Sequence, residues 1–567
     1  MNETLHRNLL LKRIERWEPD YNPTARLLRV PFSSPGYHTT LKNKDYVHST
    51  YPSLVYAVAL LDSGIAAYEA RAFDILRTVI SLQETDPEKD TYGIWPWFWE
   101  EPLSQMSPPD WNWADFCGKL LLQAEKRHGK RLPEPLKEDI RHSVYRASDA
   151  IIKRNVAPSY TNIAIMGAFV TAIAGEHYHR ADYYEYGLQR LEWFRDFTNR
   201  LQTFQEYNSP AYALITILEL SKLRTESVSQ QVKAISDEML GLCWKMVAEH
   251  YHPGLQQWCG PHSRSYSTLL KPETASFLQL VTEGTAFFLP WEQLSYSPEW
   301  FGSGIRCPEA YLPYFRETQT HTVREIFYRD DKKGFEKTAH SYMVPQYALG
   351  SFTREIMWNQ CRSLIAYLDN GGRAAYIHLR VLKNGYDYSS ALLTSAQHEG
   401  DVIGGLQFFT NGGDTHPVLD KKGGIIEAED LRIRFEVGGH LDDMECKLVQ
   451  PDQIELTAGN VRASLRLLYG MFQDSNELEP TPLQWTAALI NELWCVDVVI
   501  HSGEKRIFDF NHIRTAAFLF AVSIGRSAAA PLEITVTEDR VRRSVSAVER
   551  TTGKKLAVTI PLKPGDV

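Results

Sequence analysis

The run LRIRFEV, residues 431–437, alternates without a break: Leu431, Ile433, Phe435 and Val437 fall on one face of an extended chain, and Arg432, Arg434 and Glu436 on the other. A period of two with one apolar face predicts a half-buried β-strand. AAYIHLRVL (374–382), VRASLRL (461–467), LEITVTED (532–539) and KLAVTIPL (555–562) alternate similarly, and Gly371-Gly372, Asn384-Gly385, Gly412-Gly413 and Gly423-Gly424 punctuate them. Runs of this kind fill the chain after about residue 320 and predict a large antiparallel sandwich.

Upstream, over about residues 46–300, the period changes. In YPSLVYAVALLDSG (51–64), Leu54, Ala57, Val58 and Leu61 recur at helical spacing, and Gly64 stands where a helix-ending glycine belongs. Residues 68–83 repeat the pattern with Ala72, Ile75, Leu76 and Val79. Helices are further predicted over 113–127, 136–154, 161–175, 182–199, 209–223 and 229–250, with short connectors and no strand between them. That succession excludes an alternating α/β fold and predicts helical hairpins stacked into a bundle, a solenoid or a closed ring. No strict repeat accompanies it, which disfavours a TPR or ankyrin array. The fold class is therefore α+β multidomain, with a helical domain over 1–315 and a sandwich over 316–567, the passage falling at CPEAYLPYF (307–315).

The 567 residues, 43% hydrophobic and 23% charged, exclude disorder, collagen and coiled coil. A net charge of −9 argues against a nucleic-acid-binding protein. Aromatic residues reach 12%, with 14 Trp and 28 Tyr, and flat apolar faces suit sugar rings, although large cores use them too. Seven cysteines are scattered with no CxxC pair, which points to a reducing compartment. The opening MNETLHRNLLLKRIERW is interrupted by Lys12 and Arg13 and lacks a cleavage site, and no window approaches the ~18–20 apolar residues of a membrane span. The expectation is a cytoplasmic chain with no membrane partner.

Four segments have the composition of a site. TYGIWPWFWEEPLSQMSPPDWNWADF (91–116) crowds Trp95, Trp97, Trp99, Trp111 and Trp113 beside Glu100, Glu101, Asp110 and Asp115, with prolines preventing a helix. Indoles stack on sugar faces while carboxylates take hydroxyls, so this reads as the wall of a glycan cleft; a Trp-rich plug between helices is the alternative. In RNVAPSYTNIAIMGAFVTAIAGE (154–176), Thr161 is a candidate cap and Asn162 lies at a helix mouth, where its amide can bind a carboxylate or hydroxyl. In FQEYNSPAYALITILEL (204–220), Ser209-Pro210 reads as a helix start, gathering Glu206, Tyr207, Asn208 and Tyr212 on the entry turn. Positive potential there favours a tyrosine phenolate; core packing of Tyr212 is the alternative. In QWCGPHSRSYS (257–267), His262, Arg264 and Tyr266 alternate, placing an acid–base group beside a permanent cation, unless the loop is purely structural.

The β half adds His398, Glu399, Asp401, Asp414 and His416, whose spacing fits no compact ligand set, so no metal is expected. Tyr347, Arg354 and Trp358 are candidates either for one side of the cleft or for an interdomain bridge.

Tyr160-Thr161-Asn162 leading to Ala174-Gly175-Glu176, followed by Glu206-Tyr207-Asn208-Ser209-Pro210-Ala211-Tyr212, resembles the motifs of the heparinase II/III-like polysaccharide lyases. The chain departs from their pattern at Ile163, where a His is expected, at Ala213, and in the distance of Glu206 from Ser209-Pro210. The resemblance implies an (α/α) toroid followed by an antiparallel β-sandwich, and a β-elimination beside a uronic acid with no cofactor. It also implies roles. Asn162, with Arg264 or His262, would bind the uronate carboxylate; Tyr212 would remove the C5 proton and return it to the departing O4, His262 being the runner-up base. Trp97, Trp99, Glu101, Trp111, Trp113, Asp115, Tyr207, Asn208 and Tyr266 would line the oligosaccharide site. The rivals are an inverting glycoside hydrolase pairing Glu206 with Asp115 or Glu101 roughly 6.5–9.5 Å apart, an epimerase, and a non-catalytic glycan-binding protein. Self-association into a homo-oligomer is left open.

Overall fold

The computed structural model describes residues 3–34, 37–474, 477–479, 481–525, 532–539, 541–550, 553 and 556–567. Lys555, the first residue of the run expected over 555–562, lies outside them.

Ten α-helices are found among the described residues: α1 (Glu3–Trp17), α2 (Thr50–Asp62), α3 (Glu69–Ser81), α4 (Trp113–His128), α5 (Glu134–Arg154), α6 (Thr161–Tyr178), α7 (Ala181–Leu201), α8 (Tyr212–Glu226), α9 (Gln230–His250) and α10 (Pro272–Val281). Leu54, Ala57, Val58 and Leu61 of α2, and Ala72, Ile75, Leu76 and Val79 of α3, are all buried, as their spacing predicts. Gly64 follows α2 with φ +71°, a conformation a side chain would resist. Pairs α2/α3, α4/α5 and α6/α7 pack as hairpins, while α2, α4 and α6 touch in series and α3 touches α5. Most residues of α2, α4, α6 and α8 are buried, against one face each of α3, α5 and α7. An inner row of nearly all-buried helices backed by an outer amphipathic row is the (α/α) toroid arrangement.

The inner row carries charge. Lys119 of α4 lies 2.7 Å from Glu219 of α8 and 2.9 Å from Glu299, and Lys222 lies 3.1 and 3.0 Å from the same two carboxylates. Tyr51 of α2 donates to Glu299. Burial alone would push the Glu299 carboxyl up, but Lys119 and Lys222 outweigh it and hold it well below the usual carboxylate range.

Short strands interrupt the helical half where none is expected: Tyr21–Asn22, Leu27–Pro31 and Tyr46–His48 form one small sheet, and Tyr251–His252 pairs with Gln257–Trp258. Ladders of two or three residue pairs carry too little alternation to be legible in a sequence.

Among the described residues, the strand ladders of the β half are all antiparallel. One nine-stranded sheet runs, in spatial order, Trp485–Ile490, Leu493–Asp509, Ile425–Gly439, Arg373–Lys383, Leu364–Asn370, Tyr347–Phe352, Phe335–Val344 and His321–Asp330, with Tyr386–Asp387 paired to Arg373–Lys383. An eight-stranded sheet runs from Glu445–Gln450 to Arg354–Ile356, and its inner strands include Val461–Gln473, Thr515–Gly525, Asp401–Phe408 and Ala391–His398. Leu431, Ile433, Phe435 and Val437 are buried between the two sheets, Phe435 meeting Phe520 edge-on with ring centroids 5.2 Å apart. On the opposite face Arg432 and Arg434 each donate to Asp497 at 2.7 Å, and Arg380 donates to Glu436 at 2.6 Å. The strand thus buries one row and pairs the other.

Two compact units emerge from the packing. The first comprises Met1–Gln205, Ala213–Trp244 and Pro272–Pro308; the second comprises Glu206–Tyr212, Lys245–Lys271 and Glu309–Val567. Two segments from the helical half therefore fold with the sandwich.

Candidate active site

Those two segments carry Glu206, Tyr207, Asn208, Tyr212, His262, Arg264 and Tyr266. They are laced to one another and to residues 358–362 inside the second unit. Asn208 takes the left-handed conformation, φ +45°, which Asn tolerates better than most residues. Its side-chain amide donates to the carbonyls of Cys259 and Pro261 at 2.8 and 2.9 Å and accepts from Trp258 Nε1 at 2.6 Å. His262 Nδ1 donates to the Asn208 carbonyl at 2.6 Å, Ser263 Oγ donates to the Tyr207 carbonyl at 2.8 Å, and Ser209 Oγ donates to the Arg264 carbonyl at 2.5 Å. Backbone bonds pair His262 with Arg362 in both directions, and Ser265 N donates to the Gln360 carbonyl at 2.6 Å.

This lacing brings three polar side chains onto Arg264. Its Nη2 donates to Tyr212 Oη at 2.8 Å, its Nη1 to Glu206 at 3.0 Å, and its Nε to Gln360 Oε1 at 3.0 Å. The guanidinium also lies over the Tyr212 ring at 4.1 Å and faces the Trp358 ring at 5.6 Å. Tyr212 Oη is in turn 2.7 Å from Tyr266 Oη. Arg264, 21% exposed, and Tyr266, 53% exposed, open this group to solvent. Trp358 meets His416 edge-on at 5.2 Å, and Asn359 bonds Tyr386 Oη at 2.6 Å, so an aromatic rim adjoins the cation. The arrangement offers a phenol pair for proton transfer beside a fixed positive charge.

Several expectations need correction. α8 opens at Tyr212, three residues after Ser209, whose hydroxyl caps it: Tyr212 N–H donates to Ser209 Oγ at 3.2 Å, while that hydroxyl donates to the Arg264 carbonyl. Thr161 is the first residue of α6, which Tyr160 precedes without a side-chain cap. The Tyr212 phenol is raised above its ordinary pKa: burial dominates, and Arg264 pulls the other way without winning. It is a neutral phenol, not the phenolate that helix-end potential suggested. His262 is 1% exposed and burial lowers it to about 3, so it is a neutral structural imidazole and no base for a substrate. Asn208 is fully buried with its amide engaged, and Tyr207 is fully buried, donating to His250 Nε2 at 3.0 Å. Neither faces a ligand.

The remaining expected residues lie in the first unit. Asn162 is buried in the first turn of α6. Trp97 and Trp113 pack with centroids 5.3 Å apart, Trp97 Nε1 donating to Asp110 and Trp113 Nε1 to Thr50; Trp111 donates to the Asp90 carbonyl, and Trp99 is 51% exposed. Glu101 is fully buried and accepts from Thr39 Oγ1, Thr40 N and Thr40 Oγ1 at 2.6–2.7 Å, so it pins a loop instead of lining a cleft. Asp115 is buried at the start of α4 and raised to about 7 by burial, against the pull of Arg190 and Arg154.

In the β half, Tyr347 is buried in the core, Arg354 stacks on Phe335 at 4.9 Å, and only Trp358 reaches Arg264. No group of three or more His, Cys, Asp or Glu side chains is arranged for a metal ion among the described residues, and all seven cysteines are free thiols. No helix among the described residues is long and apolar enough to cross a membrane. Gln360, which bonds Arg264 Nε, was left unmarked in the sequence; a lone glutamine carries no pattern.

A family model described as a domain of unknown function, DUF8769, matches residues 32–283. No curated protein matches the chain. Among solved structures, one titled as heparinase III is similar at 10% identity and a TM-score of 0.47, covering 94% of this chain and 86% of that one. A second heparinase III, with methylated lysines, is similar at 10% identity and a TM-score of 0.36, covering 97% and 90%. At such scores no chemistry passes from them to this chain.

Proposed function

We propose that the protein is a lyase that cleaves the glycosidic bond next to a uronic acid in an oligosaccharide by β-elimination. One observation carries the reading: Arg264 grips Tyr212 edge and face, with a nitrogen 2.8 Å from the phenol oxygen and the guanidinium 4.1 Å from the ring. Elimination needs a proton acceptor for C5 and a cation for the charge that builds on the carboxylate as that proton leaves. Tyr212 supplies the first and Arg264 the second. Glu206 and Gln360 fix the guanidinium plane, and Tyr266, Trp358 and Tyr386 offer ring faces to the sugar. The motif resemblance of residues 160–176 and 206–212 points the same way.

The test is a panel of uronate-containing oligosaccharides followed by ultraviolet absorbance of the new conjugated alkene. Cleavage with rising absorbance is expected; cleavage without it overturns the lyase and favours a hydrolase. Variants separate the two further. For the lyase, Tyr212→Phe abolishes turnover and keeps binding. For the hydrolase, Glu206→Gln is the lethal change and Tyr212→Phe is mild.

A further inference from the structure

Tyr212 does not stand alone. Its oxygen lies 2.7 Å from that of Tyr266, inside the ordinary range for an O–H···O bond. Arg264 has only donors, so its bond to Tyr212 Oη occupies one phenol lone pair, and the Tyr212–Tyr266 hydrogen bond is open to a Tyr212 donor. Tyr266 is held in place through its backbone neighbours: Ser265 N donates to the Gln360 carbonyl at 2.6 Å, and Ser265 Oγ donates to the Ser267 carbonyl at 2.7 Å. Its ring is 53% exposed, so its hydroxyl can meet a second atom from solvent or substrate.

Resting on the lyase reading above, we infer that Tyr266 is the acid of the reaction and works in tandem with Tyr212 as a two-phenol relay. Tyr212 Oη takes the C5 proton while its own hydroxyl proton passes to Tyr266 Oη, and the Tyr266 proton passes to the departing O4. The C5–H and C4–O4 bonds break, the C–H electron pair becomes the C4–C5 double bond, and the C4–O4 pair leaves with O4 to form the new O–H. Each tyrosine ends with one proton, so the pair is ready for the next substrate and nothing is oxidised or reduced. A relay of this kind needs no free phenolate, which suits a Tyr212 hydroxyl that burial keeps protonated.

The relay also selects a substrate. Two oxygens 2.7 Å apart act on one face of a sugar ring, so the C5 proton and O4 must leave from the same side. Gluco- and manno-configured uronates present them so; galacto-, ido- and gulo-configured uronates present them on opposite sides.

The experiment compares the unaltered full chain with Tyr266→Phe on gluco- and galacto-configured uronate oligosaccharides, across pH. The substitution is at an exposed ring and keeps its shape. Expected for Tyr266→Phe is a fall in kcat of about a hundredfold or more near neutrality with KM little changed. The residual activity should climb about tenfold per pH unit, because solvent must now ionise Tyr212. The parent profile should be level over the same range, and only the gluco substrate should react. A Tyr266→Phe protein with parental kcat, or with a pH profile parallel to the parent's, overturns the relay and leaves the lyase reading standing. Preference for the galacto substrate also overturns the relay. If the unaltered chain eliminates from no uronoside, the lyase reading fails first and the relay falls with it.

Discussion

Arg264 is bonded through three different nitrogens to three different side chains, and that geometry makes it irreplaceable by another cation. Lysine offers a point charge in place of a planar fork, so Arg264→Lys keeps the charge and loses the grip on Tyr212 and Gln360. A fall in kcat of about a hundredfold or more is expected, with the thermal midpoint little moved; unchanged turnover would mean that charge alone suffices. Asp115 makes a different prediction. Its folded pKa, about 7, lies above the 3.8 of an unhindered carboxyl, so between those values the native chain holds a proton that the unfolded chain has released. Stability from this group is complete below about 3.8 and is lost as pH rises through about 7. Asp115→Asn should therefore flatten the loss of stability toward alkaline pH, read as thermal midpoints across that range. At this scale the sequence was only partly legible. Arg264, Tyr212, Glu206 and Tyr266 stand together, while His262, Asn208 and Glu101, equally polar, are buried and bonded within the fold. A polar residue in a loop looks alike in sequence whether its partners are backbone carbonyls or a ligand.

Among the elements, α4 and α8 are joined by the Lys119, Lys222, Glu219 and Glu299 cluster. Removing one member leaves an uncompensated buried charge, and Lys222→Met is expected to cost about 3–5 kcal/mol in chemical denaturation. Replacing Lys222 and Glu219 together by apolar residues should cost less than the single change; an additive or larger loss would show that the cluster acts through packing and not charge. Inner and outer helix rows also explain what was legible here. Helices with one apolar face, such as α3, declare their spacing, and α2 does so with Gly64 at its end. The α6–α7 contact was not legible: a side-chain carbon on Gly187 would come 2.5 Å from Ala172 N, and one on Gly175 would come 2.3 Å from Tyr184 N. Those glycines permit backbone contact that no periodicity announces. Alternation exposed the long strands, LRIRFEV above all, because a sheet with one face in the core and one face paired writes both rows into the chain.

Taken whole, the second unit stores several imidazoles in neutral form. Burial lowers His250 to about 4, His262 to about 3 and His340 to about 4, against 6.5 in the open chain. Between those values the unfolded chain binds the extra protons, so this stability is complete above about 6.5 and lost as pH falls toward 4. Calorimetric midpoints should drop over that interval, and less steeply in His340→Gln; an equally steep drop would assign the acid sensitivity to other groups. The threading of the two units has a consequence for heredity. Glu206–Tyr212 and Lys245–Lys271 fold with a sandwich whose remaining strands are encoded after Pro308. A single genetic crossover that traded away the helical half would carry off Tyr212 and Arg264 with it. The recombinant offspring would hold a sandwich stripped of two of its own segments, so the end of the helical half is no clean seam for shuffling.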